Sequence, residues 1–314
     1  MVLEICPVCG CKQINPERIV NGYQLKRCVS CNMVFVSPRP SPIDIENLYT
    51  NRENFDEIIS VYERIAVLKI FEYQECLEKI SQVLPGKGKL LDFACGAGYF
   101  FEQAQNAGWE AHGSELGEWA KAACDARNVS NIHIGSLDEL NFPEEYFDVI
   151  YAAQVFEHLR EPRNELQKLS KILRSGGLLY ADVPNYHTLP MIFGRDKFTW
   201  NEPPQHINYF SPNNFSKMIS AVGFSIELIT TSGGLNWENL LGRRVKSDIL
   251  NAYDNENINI NNIDKDNIYQ EKLCGRKESI LSMTKKIIKK IIVDPIFYKK
   301  LGLGINLSVL ARKQ

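Results

Sequence analysis

Lys89-Leu-Leu-Asp-Phe-Ala-Cys-Gly-Ala-Gly98 is an apolar run that breaks into a glycine turn, and its reading decides the fold. A buried strand entering such a turn, with a helix after it, is the opening of a βαβ unit. Gly96 and Gly98 let the backbone approach a ligand closely, and the first N–H groups of the next helix have no partner inside it. Position 101 is Phe where a dinucleotide fingerprint has a third Gly or Ala, so a nicotinamide dinucleotide is disfavoured. A second strand, Trp109-Glu-Ala-His-Gly-Ser114, ends at Glu115, and a helix runs on through Arg127. Glu115 comes seventeen residues after Gly98. A carboxylate at the tip of that strand can accept both hydroxyls of a ribose. The alternative is an acid at a helix start, favoured by the macrodipole.

Further strands and helices alternate outward from this unit. Phe147-Asp-Val-Ile-Tyr151 reads as a short strand after the Pro143-Glu-Glu turn. Glu161 to Leu173 reads as a helix with Leu166, Leu169, Ile172 and Leu173 inward, stopped by the glycines of Arg174-Ser-Gly-Gly177. Leu178–Val183, Phe224–Thr230 and Gly304–Arg312 are expected as strands. Strands alternating with helices of this length give an α/β fold with a parallel sheet. Its ligand belongs at the strands' carboxyl ends, where Gly96, Glu115, Gln154 and Asn185 fall.

The patterns LLDFACGAG, GSELGEWA, FDVIYAAQVFEHL and ILRSGGLLYADVPN, in that order, resemble the class I S-adenosylmethionine-dependent methyltransferases over about residues 88 to 231. They are most similar to a bacterial group with a Glu-His pair after strand four. The resemblance implies a Rossmann-like seven-stranded methyltransferase sheet with helices on both faces and its last strand inserted antiparallel. It further implies that Gly96 and Gly98 face the amino-acid part of S-adenosylmethionine, with Asp92 and Ala94 nearby. Glu115 would hold the ribose, Leu116 and Leu137 would flank the adenine, and Gln154 would lie beside the sulfonium.

Two CxxC knuckles precede this region, Cys6-Pro-Val-Cys9 and Cys28-Val-Ser-Cys31. Two such turns complete a tetrahedral set of four thiolates, which suits Zn2+ and leaves no open position, so the ion is expected to be structural. Two disulfides or a redox pair are the alternatives, and Cys11 is read as incidental. The knuckles and the short strands between them form a small N-terminal zinc ribbon. Ser37-Pro38-Arg39-Pro40-Ser41-Pro42 ends it. Helical periodicity follows from Tyr62 to Leu84, with Ile65, Leu68, Phe71, Leu77, Ile80 and Leu84 on one face. Tyr49, Phe55 and Tyr62 are candidates to line a substrate lid, or are packing aromatics.

Methyl transfer to a hydroxyl needs alignment and a base, and a histidine titrating near neutrality serves. His206, in Glu202-Pro-Pro-Gln-His206-Ile-Asn-Tyr-Phe210, and His158, paired with Glu157 at the expected start of the helix after strand four, are the candidates. The His206 strip resembles one found in sugar methyltransferases with an N-terminal zinc domain, except that Gln205 stands where they have Glu. A structural His206 bonded to backbone is the alternative. Gln205, Tyr209, Asn185, Tyr49 and Tyr62 complete the candidate acceptor side. Those enzymes often carry a further C-terminal domain for which this chain has no room, so O-methylation is a simpler expectation than C-methylation.

The chain has 314 residues, 44% hydrophobic and 24% charged, with a formal net charge of -2. That balance disfavours sequence-blind nucleic-acid binding. No apolar run approaches the ~18 residues of a membrane span, and MVLEICPVCG lacks the pattern of a secretory signal. With nine cysteines, a reducing compartment and a cytoplasmic location are expected. An Asn-rich run, Asn251 to Asn267, reads as a mobile loop, and Ile280 to Val293 as a basic amphipathic helix. That helix either caps a core or lies on the inner face of a membrane as a peripheral contact. The expected organisation is a ribbon (1–37), a linker and helical lid (38–87), a cofactor-binding core (88–234), an insertion (235–303) and the final core strand (304–314). The expected function is O-methylation of a sugar or glycan, nucleotide-linked or lipid-linked, in surface-polysaccharide or related synthesis. An RNA base methyltransferase and a catalytically silent cofactor-binding module are the alternatives.

Overall fold

The computed structural model describes residues 2–50, 55–188, 203–232 and 305–314. The Asn-rich run and the basic helix lie outside them. Seven strands form the central sheet: β4 (Lys89–Phe93), β5 (Glu110–Glu115), β6 (Ile132–Ile134), β7 (Phe147–Ala153), β8 (Leu173–Pro184), β10 (Phe224–Ser232) and β11 (Asn306–Lys313). Their spatial order is β10-β11-β8-β7-β4-β5-β6. β4, β5, β6, β7 and β8 pair in parallel, while β11 runs antiparallel between β8 and β10. This is the expected α/β sheet with its last strand inserted antiparallel.

Because side chains alternate along a strand, Leu90 and Leu91 serve opposite faces. On one face Leu90, Val149, Tyr151 and Leu178 pack against Cys76, Leu77 and Ile80 of α2 (Phe55–Val83) and Phe100, Phe101 and Ala104 of α3 (Tyr99–Asn106). On the other, Leu91, Ile150, Leu179 and Val309 meet Leu166 and Leu169 of α6 (Pro162–Ile172), with Phe215, Met218 and Ile219 of α7 (Pro212–Ser220). Covered on both sides, the central strands β4, β7 and β8 are mostly apolar, as strands of a parallel sheet are.

Two expectations change. The glycine stop after α6 is absent. The helix ends at Ile172 and β8 starts at Leu173, so Gly176 and Gly177 lie within the strand. A Cβ on Gly177 would sit 2.8 Å from Leu173 Cδ1 and 3.0 Å from Asp148 O, so the glycine admits the neighbouring backbone. In α2, the expected inner face is buried only in part. Leu77 and Ile80 are buried, whereas Ile65 and Phe71 are 39% and 37% exposed.

A second sheet has the order β1-β2-β3-β9, from β1 (Ile14–Val20), β2 (Tyr23–Cys28), β3 (Val34–Val36) and β9 (Asn208–Tyr209). Its fourth strand comes from the His206 strip, with Val34 opposite Tyr209 and Phe35 opposite Asn208. Cys6, Cys28, Cys31, Met33 and Phe35 share one continuous apolar core with Leu91, Phe147, Phe156 and Phe210. The knuckle region therefore packs on the main sheet.

Candidate functional site

β4 and β7 are neighbours at the middle of the sheet, and the chain leaves them in opposite directions, which makes a topological switch point. Just past their carboxyl ends Ala94 has φ 56° and Gln154 has φ 57°. Left-handed backbone costs a non-glycine residue about 1–2 kcal/mol, and such strain gathers where a site is shaped. Both residues line a cavity of about 550 Å3. Tyr62, Glu115, Leu116, Trp119, Leu137 and His158 line it too.

Glu115 turns back to the glycine turn. Its Oε2 accepts the Gly96 N–H at 3.0 Å and its Oε1 accepts the Leu116 N–H at 2.8 Å. A carboxylate oxygen has capacity for a further bond, so these contacts orient the acid without exhausting it. A Cβ on Gly96 would come 2.6 Å from Tyr62 Cε1, and the Tyr62 ring stacks on Trp119 at 5.1 Å. Tyr62 thus roofs the glycine turn. Gly98, with φ 80°, has another constraint: a Cβ there would meet Phe101 at 2.5 Å and Cys124 Sγ at 2.7 Å. Neither Gly96, Gly98 nor Asp92 is among the cavity-lining residues. Asp92 is 3% exposed; burial pushes its carboxyl up, and the Phe101 backbone N–H draws it partly back. It ties β4 to the start of α3.

Gln154 is fixed by a residue the sequence reading passed over. Its backbone N–H donates to the Asp182 carbonyl at 2.7 Å and its Nε2 to Asp182 Oδ1 at 2.6 Å. Asp182 Oδ2 accepts from Ser308 Oγ at 2.6 Å, so β11 helps aim Gln154. Burial raises the Asp182 carboxyl, and the Ser308 and Gln154 donors oppose that. The signal was present: Asp182 is the one acid inside the apolar run Leu178–Val183.

Glu157 and His158 lie in a turn between β7 and α6, not at a helix start, because Pro162 opens α6 with Glu161 as its N-cap. The Glu157 carbonyl accepts the N–H groups of Ile207 and Asn208 at 2.9 and 3.1 Å, and Asn208 Nδ2 donates to the carbonyls of Phe156 and Leu159. These bonds draw the His206 strip onto the turn. The rings of His158 and His206 stand edge to face, 4.7 Å between centroids. His158 Nδ1 lies 3.0 Å from the Gln205 carbonyl, which can only accept, so Nδ1 carries the proton. Burial, then the neighbouring His206, push the His158 pKa down to about 3. Glu157 is 1% exposed and burial holds its carboxyl well above the usual range.

Among the described residues, the candidate acceptor residues Tyr209, Asn185 and Gln205 are not in the cavity wall. Tyr209 is buried and donates to the His206 carbonyl at 2.7 Å. Asn185 is fully buried and Oδ1 accepts the His187 N–H at 3.0 Å, which holds the turn after β8. Gln205 exposes its side chain. The side chains of Tyr49, in α1 (Pro42–Thr50), and Phe55 lie outside the described residues.

At the N-terminus the Sγ atoms of Cys6, Cys9, Cys28 and Cys31 all lie within 4.8 Å of one another, with Cys6–Cys31 and Cys9–Cys28 both 3.6 Å apart. Disulfide sulfurs stand about 2.05 Å apart, so these four are thiols. A tetrahedral ion with bonds of about 2.3 Å sets its sulfurs roughly 3.8 Å apart, which this set fits. Burial pushes Cys28 up to about 11, and the Cys31 thiol together with burial raises Cys6. Cys11 instead accepts the Gln13 N–H, outside the group.

The methyltransferase-domain family model matches residues 69–229, just over half of the chain. A protein of Mycolicibacterium smegmatis, named a probable S-adenosylmethionine-dependent methyltransferase, is 27% identical over 139 residues, 44% of this chain and 52% of that one. A ubiquinone biosynthesis O-methyltransferase of a Shewanella species is 27% identical over 103 residues, 31% of this chain and 44% of that one. The chain thus spans about half the length of these curated relatives. A Thermotoga maritima S-adenosylmethionine-dependent methyltransferase structure, described as a possible histamine N-methyltransferase, aligns with TM-score 0.50 at 15% identity over 83% of this chain and 98% of that one. At that identity the likeness is one of fold. With sheet order, switch-point cavity and family match in agreement, the chain belongs to the methyltransferase-domain family and carries the class I S-adenosylmethionine-dependent methyltransferase fold.

Proposed function

We propose that this protein passes the methyl group of S-adenosylmethionine to a hydroxyl of a sugar or glycan, nucleotide-linked or lipid-linked, during surface-polysaccharide or related synthesis. The observation that carries the reading is one juxtaposition. A nucleoside-sized cavity with Glu115 beside the glycine turn shares its wall with His158, whose ring meets that of His206 edge to face. In this reading Glu115 accepts ribose hydroxyls, Leu116 and Leu137 enclose the adenine, and Gln154, aimed by Asp182, borders the reacting end. When bound, the cofactor supplies a methyl group on a sulfonium. The Glu157–His158–His206 cluster stands at the reacting end and orients the acceptor hydroxyl. The relatives named as O-methyltransferases support oxygen as the acceptor atom. The four N-terminal thiols are proposed to hold a structural Zn2+, closed by four protein ligands and therefore without an open position for chemistry.

The test is a methyl-transfer screen against nucleotide-sugars, lipid-linked glycans, phenols and RNA, read by mass spectrometry. Methylated sugar is the expected product. Transfer to RNA alone would overturn the acceptor assignment, and failure to bind S-adenosylmethionine in calorimetry would overturn the enzyme reading. Metal analysis should find zinc in the wild type and lose it when Cys28 and Cys31 become Ser.

A further inference from the structure

This inference deepens the methyl-transfer reading and rests on it, by naming what the cluster beside the cavity holds. Glu157 is 1% exposed, and neither of its carboxylate oxygens has a hydrogen-bond partner among the described residues. A buried ionised carboxylate costs several kcal/mol unless a proton or a cation meets it. Lys69 exerts only a longer-range attraction on it. What comes close is imidazole. His158 Nε2 lies 3.7 Å from Glu157 Oε1, and Glu157, His158 and His206 each bring a ligand atom within 4.8 Å of the others. Since Nδ1 of His158 carries the proton towards the Gln205 carbonyl, Nε2 of the neutral ring keeps an electron pair and is the ligand atom of this side chain, 3.7 Å from the carboxyl. Two electron-pair donors at that distance repel unless a proton or a cation meets them. The backbone carbonyl that holds Nδ1 is the kind of partner that orients metal-bound histidines. A divalent ion with bonds of about 2.0–2.2 Å keeps its ligand atoms roughly 3–3.5 Å apart, so slight closure completes the set.

We propose that Glu157, His158 and His206 bind a divalent cation at the carboxyl end of β7, beside the cavity. Two imidazoles and one carboxylate suit Mn2+, Fe2+, Co2+ or Zn2+ and leave coordination positions open. His158 lines the cavity, so those positions are within reach of an acceptor hydroxyl, whose pKa the cation lowers. The histidines then act as ligands, and the hydroxyl proton leaves to water as the oxygen–carbon bond forms and the sulfur–carbon pair stays on sulfur.

Mn2+ is the probe, because it favours oxygen and nitrogen ligands and so discriminates against the four-thiol site. Titration of the full chain, followed by electron paramagnetic resonance, should saturate at one Mn2+ per chain. Glu157→Gln and His206→Asn should each weaken binding about 10-fold or more, while S-adenosylmethionine affinity and the melting curve stay as in the wild type. Brief chelation should abolish transfer and Mn2+ should restore it. A wild type that binds no Mn2+, a Glu157→Gln variant that binds like wild type, or full turnover after chelation would overturn the site. So would an infrared carboxylic-acid band of Glu157 that persists unchanged in the Mn2+-treated protein. Absent S-adenosylmethionine binding would instead sink the methyl-transfer reading, and the Mn2+ titration is read independently of it.

Discussion

Glu115 and Gly98 depend on different physics although they stand at the same turn. Glu115 is held by two backbone N–H groups, and its role in the proposed enzyme is to receive ribose hydroxyls. Glu115→Ala should therefore weaken S-adenosylmethionine binding about 10–100-fold, the worth of hydrogen bonds to a charged acceptor, with little change in the melting temperature. Calorimetric affinity equal to wild type would remove that role. Gly98 answers to packing, with φ 80° and two side chains closing on its missing Cβ. Gly98→Ala should cost about 2–4 kcal/mol of stability from left-handed strain plus overpacking, read as a shifted urea midpoint. The two glycines were read from the sequence as one ligand-facing pair. Their separation is a matter of which way each absent Cβ points, and spacing does not specify that.

At the scale of elements, the strip that forms β9 is clamped from the N-terminal side. Arg39, 3% exposed, donates from Nη1 to the Ile207 carbonyl and from Nη2 to Asn208 Oδ1, both at 2.6 Å. Burial pushes its pKa down to about 9, yet it remains a cation near neutrality. Arg39→Met keeps the apolar stem and removes both bonds. It should cost about 2–3 kcal/mol and slow transfer more than it weakens cofactor binding, because the strip and not the cavity loses its anchor. Equal losses in both measurements would contradict that assignment. β5 and β6 show a second element-scale effect. His112 Nδ1 and His133 Nε2 lie 3.1 Å apart, and burial lowers the pKa of both, His112 also lowering that of His133. A histidine with a depressed folded pKa favours the native state above its unfolded value of about 6.5 and penalises it as pH falls below that. His133→Gln should therefore gain stability relative to wild type between about pH 6.5 and 5, measured by paired melts. A difference that does not vary with pH would refute it.

Across the whole molecule, one apolar core runs from the cysteine knuckles through the sheet to α6 and α7. Disturbing the knuckles should be felt far from them. Replacing Cys28 and Cys31 by Ser is expected to lower the melting temperature by roughly 10 °C in a single transition, and to impair acceptor methylation more than cofactor binding, because β3 of the same sheet pairs with the His206 strip. Two separate unfolding transitions would argue against the shared core. Among the described residues no helix is long and apolar enough to cross a membrane.

The sequence alone determined the sheet and which residues fall at its carboxyl end. Alternation of apolar strands with helices dictates parallel βαβ units, and chain order then puts Gly96, Glu115 and Gln154 at the carboxyl ends whatever the details of packing. It determined the four-thiol group as well, because each CxxC knuckle is a local turn. Only the tertiary structure decided that Tyr62 roofs the glycine turn, that Asp182 aims Gln154, and that a two-residue strand from the His206 strip completes the N-terminal sheet. Those contacts join residues far apart in the chain through hydrogen bonds and burial. No periodicity records such pairings, since they exist only once separate elements have packed.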